Sequence, residues 1–408
     1  MSLASSSSSS DDSSARRRRH PRVVTRLVDW ALPVLQAGRL LLILPNGEAI
    51  LRHGNEAGPE ATLAVHHWRA LWRILLDGDH GFADGYLDGD WSTPELSQLL
   101  ELFMRNESAF TPQAVGGWLS LARHRLLHWW RANTRRGSRR NIAAHYNLGN
   151  DFFMPWLDGG MNYSSALFAG DDTLEAAQKR KLDRAASLLD LSGGERVLEI
   201  GCGWGALAEQ LIRRHGSNLS GVTLSTEQLA YAQARLADAF EDGRADLRLL
   251  DYRDVEGRYD RIASIEMIEA VGERYWPVYF AKLRASLRTG GIALLQAITI
   301  DESRFAAYRN RADFIQRHIF PGGLLPTASI IEREAERAGL KLVHRESFGD
   351  SYAKTLREWR CRFLRAWPAI EPLGFNERFR RMWEYYLVYC EIGFRFGVIE
   401  VGFFKLAG

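Results

Sequence analysis

From about residue 190 onward, short apolar runs alternate with longer stretches whose apolar positions recur at helical spacing. Arg196–Ile200, Leu219–Leu224, Leu247–Leu250, Arg261–Ile265 and Ile292–Ile298 have strand length, while Ala206–Arg214, Thr226–Ala239 and Tyr275–Leu287 carry the period of helices. A turn at Gly290–Gly291 separates the last helix from the last strand. Strands alternating with helices in this way predict a doubly wound α/β fold with a mostly parallel sheet. Upstream, Leu40–Leu44, Pro45-Asn46-Gly47 and Ala49–Leu51 read as a hairpin, because Asn-Gly supplies the positive φ angles of a tight turn. Helical patterns follow over Trp68–Leu76 and Glu95–Arg105, so residues 23–115 read as a small N-terminal α+β domain.

Two segments have a different grammar. Residues 1–22, a serine run followed by Arg16–Arg19, cannot bury enough apolar surface to order and read as a disordered basic tail. Trp118, Leu119, Ala122, Leu126, Trp129 and Trp130 form one helical stripe, with Arg123, Arg125 and Arg131 largely off it and Arg135, Arg136, Arg139 and Arg140 close behind. Residues 116–140 therefore read as a basic amphipathic linker helix, suited either to an anionic membrane surface or to packing on its own domain. The rest, 141–408, is the domain of strand–helix alternation.

Composition narrows the function classes. Lys and Arg number 53 against 50 Asp and Glu, a net +3, so no charge excess points to nucleic acid. The three cysteines, Cys202, Cys361 and Cys390, share no CxxC, which excludes a disulfide scaffold and a thiolate metal site and fits a reducing compartment. No apolar run approaches the roughly 18 residues a membrane span needs, and the N-terminus lacks the apolar region of a secretory signal. The expected setting is cytoplasmic.

The first strand ends in Glu199-Ile-Gly201-Cys-Gly203-Trp-Gly205 and enters a helix directly. Glycines there allow a tight turn and close approach of the backbone to a ligand at the helix N-terminus. With Ala206 the run also satisfies a dinucleotide pattern, GxGxxA. The acid that grips a ribose about 20 residues further on in such sites is missing from Gly221-Val-Thr-Leu-Ser225. The leading Glu199 and the three alternate glycines instead match the S-adenosylmethionine (SAM) loop of class I methyltransferases.

A set of motifs surrounds this loop in fixed order: His145-Tyr-Asn-Leu-Gly-Asn-Asp-Phe-Phe153, Asn162-Tyr-Ser-Ser165, GVTLSTEQ over 221–228, Ile268-Glu-Ala-Val-Gly-Glu-Arg-Tyr275, Phe320-Pro-Gly-Gly323 and Ser351-Tyr-Ala-Lys-Thr355. Together they resemble the cyclopropane-fatty-acyl-phospholipid synthase family, which includes the mycolic acid cyclopropane synthases. The resemblance covers roughly 140–405, with a weaker echo in 35–105. It implies a Rossmann-like sheet of seven strands and SAM as cofactor. SAM would lie against Tyr163 and Ser164; the loop Val197, Glu199, Gly201, Gly203, Trp204 and Gly205; Thr223, Leu224, Ser225 and Gln228; and Asp251, Tyr252 and Arg253. It also implies unsaturated phospholipid acyl chains at the inner face of a membrane as substrate, and leaves a homodimer open.

The implied reaction alkylates a cis double bond. Methyl transfer to an alkene leaves a carbocation, which needs water excluded, ring faces around it and a base to remove one proton. Removal from the new methyl closes a cyclopropane, the product the resemblance leads us to expect; removal from a neighbouring carbon gives a methylene or rearranged alkene, so a methylene- or methyl-branching enzyme of the same family is the alternative. In the family the base is a bicarbonate held by Cys, Glu, His and Tyr. Carried over, these are Ser165, Glu269, Gln296 and Tyr352, so two of the four are changed and anion affinity should fall. Ser and Gln can still donate hydrogen bonds to a carbonate oxygen, so bound bicarbonate remains the expected base, with Glu269 itself as the alternative. Cys390 lies where the family often keeps a cysteine, with a buried inert thiol as the alternative reading. Trp383, Tyr386, Tyr389, Phe394 and Phe396 are candidates for the acyl tunnel or for ordinary core. A SAM- or lipid-binding protein without turnover is the more distant reading.

Overall fold

The computed structural model describes residues 25–26, 28–29, 32–110 and 148–408. The tail 1–22, the basic stretch 116–140 and His145–Asn147 lie outside the described residues. The N-terminal part holds a four-stranded sheet of β1 (Ala37–Ile43), β2 (Ala49–His53), β3 (Glu56–Val65) and β4 (Trp91–Ser92), in the order β2-β1-β3-β4. The expected hairpin is there: Ile43 pairs with Ala49 across the turn, and Gly47 takes φ +84°. Helices Arg69–Asp77, Asp79–Leu87 and Leu96–Arg105 accompany this sheet.

The second sheet has seven strands: β5 (Arg196–Ile200), β6 (Asn218–Thr223), β7 (Ala245–Leu249), β8 (Tyr259–Ile265), β9 (Leu287–Ile300), β10 (Lys341–Ser347) and β11 (Ile399–Ala407). Their order is β10-β11-β9-β8-β5-β6-β7. β5 to β9 run parallel, and β11 inserts antiparallel between β9 and β10. This is the doubly wound α/β fold of class I methyltransferases. The chain order reverses beside β5, where the crossovers leave opposite faces of the sheet, so a crevice opens at the carboxyl ends of the strands.

Three expectations need correction. The helix expected over Thr226–Ala239 is two, Thr226–Arg235 and Ala237–Glu241, because Leu236 leaves the helical region at φ −110°. The turn at Gly290–Gly291 lies inside β9 as an irregularity, with the β8 register shifting between Tyr259↔Leu287 and Arg261↔Ile292. Gly408 at the chain end bonds to this pair, donating to Gly291 O at 3.1 Å and accepting from Gly290 N at 3.0 Å, which keeps it within the sheet. β10 and β11 follow no run singled out by the sequence pattern.

The two sheets are joined through one apolar cluster. Tyr86, Trp91, Leu99 and Leu102 of the N-terminal part belong to the same buried cluster as Phe152, Trp156, Trp359, Phe363 and Trp383. Most of the latter stand on the long helices Gly349–Ile370 and Glu377–Arg395. Polar contacts reinforce the joint: Tyr86 OH donates to Glu384 Oε2 at 3.0 Å, and Arg395 reaches Glu101 at 2.8 Å. The N-terminal part therefore braces these two long helices.

β5 passes into helix Ala206–His215 through Gly201, Gly203 and Gly205 at φ +83°, +53° and +83°. Gly205 also packs closely, since a Cβ there would lie 3.1 Å from Ala232 Cβ. Gly205→Ala combines a left-handed backbone, costing roughly 1–2 kcal/mol, with that contact. Its denaturant midpoint should fall accordingly; an unchanged midpoint would contradict this account of the loop.

Candidate functional site

A cleft opens where β5, β6 and β8 end. Its walls include Met161, Asn162, Tyr163 and Ser164, the loop Glu199–Trp204, Val222, Thr223, Leu224 and Gln228, Leu250 and Tyr252, and the segment Ile265, Glu266 and Met267. The space between its walls, open solvent at the mouth included, is about 1020 Å³. Thr223 Oγ1 donates to Gln228 Oε1 at 2.9 Å, fixing the carboxamide at the rim. Trp204 Nε1 donates to Asn150 Oδ1 at 2.7 Å and Arg235 holds Trp204 O at 3.0 Å, so the glycine loop is anchored at its bulkiest residue.

Two buried charges face each other at the back of this cleft. Glu199 is 3% exposed, and its Oε2 has no hydrogen-bond partner among the described residues. Loss of water pushes its carboxyl up to about 8, with the Lys181 ammonium opposing that shift. Lys181 is equally buried and brought down to about 8 by the same desolvation, while Glu266, Asp158 and Glu199 favour its charged form. Lys181 Nζ donates to Ser164 Oγ at 2.9 Å.

A third charge, Glu266, gathers several donors. Its Oε1 accepts from Ser165 N at 2.8 Å and from Gln296 Nε2 at 2.7 Å, and its Oε2 accepts from Tyr352 OH at 2.7 Å. Glu266 follows β8 directly with φ +50°, and its own N–H donates to Gln296 O at 2.7 Å. A residue with a Cβ is uncommon at such an angle, which strains the backbone by about 1–3 kcal/mol where the surroundings enforce it. Desolvation raises its carboxyl; the three donors and Lys181 oppose the rise. Aromatic rings close the far side. Tyr352 lies 4.6 Å from Phe394 and 6.1 Å from Trp359 between ring centres, and Tyr163 OH meets Tyr386 OH at 3.0 Å.

The family model described as mycolic acid cyclopropane synthetase matches residues 133–404. The chain belongs to that family. Its members are SAM-dependent methyltransferases that act on lipid acyl chains. The chain is 42% identical over 356 residues to tuberculostearic acid methyltransferase UfaA1 of Mycobacterium tuberculosis, covering 85% of this chain and 83% of the relative. It is 36% identical over 329 residues to cyclopropane-fatty-acyl-phospholipid synthase of Escherichia coli K12, covering 79% and 81%. Among solved structures it resembles the M. tuberculosis cyclopropane synthase MmaA2, with TM-score 0.62 and 32% identity over 66% of this chain and 98% of that one. Mycolic acid cyclopropane synthase CmaA1, solved with SAH and CTAB, aligns with TM-score 0.62 and 30% identity, covering 66% of this chain and 98% of that one.

Against this family pattern the residues divide. Tyr163, Ser164, Glu199, Gly201, Gly203, Trp204, Thr223, Leu224, Gln228 and Tyr252 all line the cleft. The other expected cofactor residues stand behind it. Val197 is buried in β5, Gly205 packs on Ala232, and Ser225 caps helix Thr226–Arg235 by accepting from Gln228 N at 3.3 Å. Asp251 and Arg253 bind each other through two contacts of 2.8 and 2.6 Å. The Arg253 guanidinium also sits 5.6 Å from the Tyr252 ring centre, steadying the one member of that trio on the cleft wall.

Of the expected base set, Ser165, Gln296 and Tyr352 converge, and they converge on Glu266. The Ser165 hydroxyl donates to Ala166 O at 2.9 Å, so its backbone N–H rather than its side chain meets the carboxylate. Glu269 stands apart from these three: its Oε1 accepts from Ile298 N at 2.5 Å, and its Oε2 is buried with no partner among the described residues. Burial and the charge of Glu266 push the Glu269 carboxyl up to about 8, the protonated side at neutral pH. Cys390 is a partly buried thiol pushed up by desolvation and by Asp313, hence a neutral one. Among the tunnel candidates, Tyr386 and Phe394 flank the site. Trp383 is core against Phe152, Phe396 lies under Arg105, and Tyr389 is exposed beside Tyr385.

Lys181 and Glu266 were not singled out from the sequence. For Lys181 a signal existed: Leu174, Ala177, Lys181, Leu182 and Ala185 share the buried stripe of helix Leu174–Leu188, and a lysine on such a stripe needs partners. Lys181→Met removes the cation facing Glu199 and Glu266. A carboxyl raised in the folded state costs stability that accumulates above its unfolded value and up to its folded one, at about 1.4 kcal/mol per pH unit. The variant raises the carboxyls further, so its stability deficit against wild type should widen as pH climbs through 8. A deficit that narrows over that interval would contradict the arrangement.

Proposed function

We propose that this chain transfers a methyl group from SAM to a cis double bond in an unsaturated phospholipid acyl chain, yielding a methylene-branched product rather than a cyclopropane. The observation that carries the reading is a carboxylate, Glu266, fixed at the inner wall of the cofactor cleft with aromatic rings behind it.

The cleft residues fit SAM. Glu199 Oε2 lacks a donor, and the SAM ammonium and ribose hydroxyls are donors. Gly203 has open space where a Cβ would stand, leaving its backbone free to a ligand. Thr223 and Gln228 offer hydroxyl and amide groups, and Tyr252 a ring face. When bound, SAM supplies an electrophilic methyl group: its C–S bond breaks as a C–C bond forms, leaving S-adenosylhomocysteine and a cation on the acyl chain. The chain's own residues then have two tasks. Tyr352, Phe394, Trp359 and Tyr163 keep water out and turn ring faces toward positive charge. A carboxylate accepts the proton that the cation must lose.

Both products are isomers and differ in one step within the substrate. Loss of a proton from the new methyl with ring closure gives the cyclopropane. A hydride shift from the methylated carbon to its neighbour, followed by the same proton loss, gives the methylene. Two observations favour the second: Ser165 and Gln296 replace the Cys and His of the ring-forming pattern, and the 42% relative is named as a tuberculostearic acid methyltransferase and not as a cyclopropane synthase. The relative named for cyclopropane formation shares 36% identity and keeps that outcome as the second reading.

A lipid surface as the place of action has its own support. Helix Arg69–Asp77 leaves Trp72, Leu75 and Leu76 65–77% exposed on one face. No helix among the described residues is long and apolar enough to cross a membrane, so contact with lipid would be peripheral.

Incubation with SAM and vesicles of cis-monounsaturated phospholipid should add one carbon to the acyl chains, and proton NMR should show exomethylene rather than cyclopropane signals. Ring protons would move the chain to the second reading. Transfer to no olefinic lipid would end both. The same vesicles should pellet the wild-type protein and release Trp72→Glu; equal pelleting would remove the surface from the account.

A further inference from the structure

We infer that Glu266 takes the position of the external anion that the family pattern calls for, so that this chain carries its general base as a side chain. The inference rests on the methyl-transfer reading above and deepens it.

The anion set expected from the sequence was Ser165, Glu269, Gln296 and Tyr352. Three of these four deliver their hydrogen bonds to one carboxylate already in the protein. Tyr352 OH fills one oxygen of Glu266; Ser165 N–H and Gln296 Nε2 fill the other. A planar carboxylate and a planar bicarbonate offer the same pair of acceptor oxygens, so the donors that would hold the one are satisfied by the other. The residues present therefore do not fit a free anion as well. The missing cation of the family's histidine is consistent: Gln296 is neutral, and the positive charge near Glu266 comes from Lys181.

The two neighbouring acids separate in role. Glu269 receives one donor and Glu266 receives three. Two buried carboxyls that repel each other do not both ionise cheaply, and the one that receives more hydrogen bonds keeps the charge. Glu266 is thus the ionised member, and Glu269 holds the proton. The sequence position explains the geometry: Glu266 stands at the carboxyl end of β8 with φ +50°, an angle that turns its side chain into the cleft it lines. In the step itself, the cationic acyl chain loses a proton to a Glu266 oxygen, the C–H pair becomes the new C=C bond, and the acid returns its proton to solvent after product leaves. Ser165 and Gln296 position the carboxylate and do not touch the substrate in this scheme, whereas Tyr352 positions it through its hydroxyl and faces the cation with its ring.

The test uses the full chain with SAM and cis-monounsaturated vesicles. Glu266→Gln keeps the shape and removes the base; turnover should drop by about 100- to 10,000-fold, with SAM affinity by calorimetry unchanged. Glu266→Gly opens the seat and leaves the donors, so added bicarbonate or formate should restore turnover in a saturable way. The inference is overturned if Glu266→Gln turns over like wild type, or if Glu266→Gly binds SAM and transfers carbon in buffer purged of carbon dioxide and free of added anion. If Glu266→Gln fails to fold, the rescue of Glu266→Gly decides alone. Failure of the wild type to methylate any lipid would instead strike the function reading, a result distinct from either of these.

Discussion

A carboxylate removed from water must be paid for by donors, and that constraint organises the inner wall of this cleft. Glu266 sits at the end of a central strand at an angle few non-glycine residues adopt. It is held there by a backbone N–H, an amide and a phenol, drawn from three separate parts of the chain. Ser165 comes from the loop before the first helix of the α/β unit, Gln296 from β9, and Tyr352 from the long helix Gly349–Ile370. Each is 6% exposed or less, so none can exchange its partner for bulk water. The donors around Glu266 come together only when these three parts of the chain are packed against one another.

The same logic explains Lys181 and Glu199. A lone buried charge is expensive, but an ammonium among three carboxyls lowers the cost of all of them. Glu199 retains one unsatisfied oxygen, which a ligand with donors can complete. The N-terminal part contributes from a distance by bracing helices Gly349–Ile370 and Glu377–Arg395 through Tyr86, Glu101 and the shared aromatic cluster. Those helices carry Tyr352, which holds Glu266, and Trp359, Tyr386 and Phe394 in the ring cluster around it.

Much of this was legible beforehand because it is local. The glycine spacing after Ile200 states a tight turn into a helix, and the apolar run Arg196–Ile200 coincides with β5. The ordered motifs identified the family and, through it, most of the cleft wall. What escaped depends on long-range geometry. Glu266 is three residues from Glu269, and only the left-handed backbone after β8 determines which of the two reaches Gln296 and Tyr352. Asp251 and Arg253 carry the right chemistry for a ligand, yet at two residues' separation they satisfy each other first. β10 alternates exposed with half-buried residues and carries Lys341, His344, Arg345 and Glu346, so its apolar signal is weak; it is an edge strand whose pairing with β11 supplies what its pattern does not.

The most direct measurement of the central claim is the dependence of the wild-type rate on dissolved carbonate. Methyl transfer to olefinic vesicles is followed in buffer purged of carbon dioxide, then with bicarbonate added back. A protein that carries its own base gives the same rate in both conditions. A rate that collapses on purging and recovers with bicarbonate would mean that a free anion does the work assigned here to Glu266.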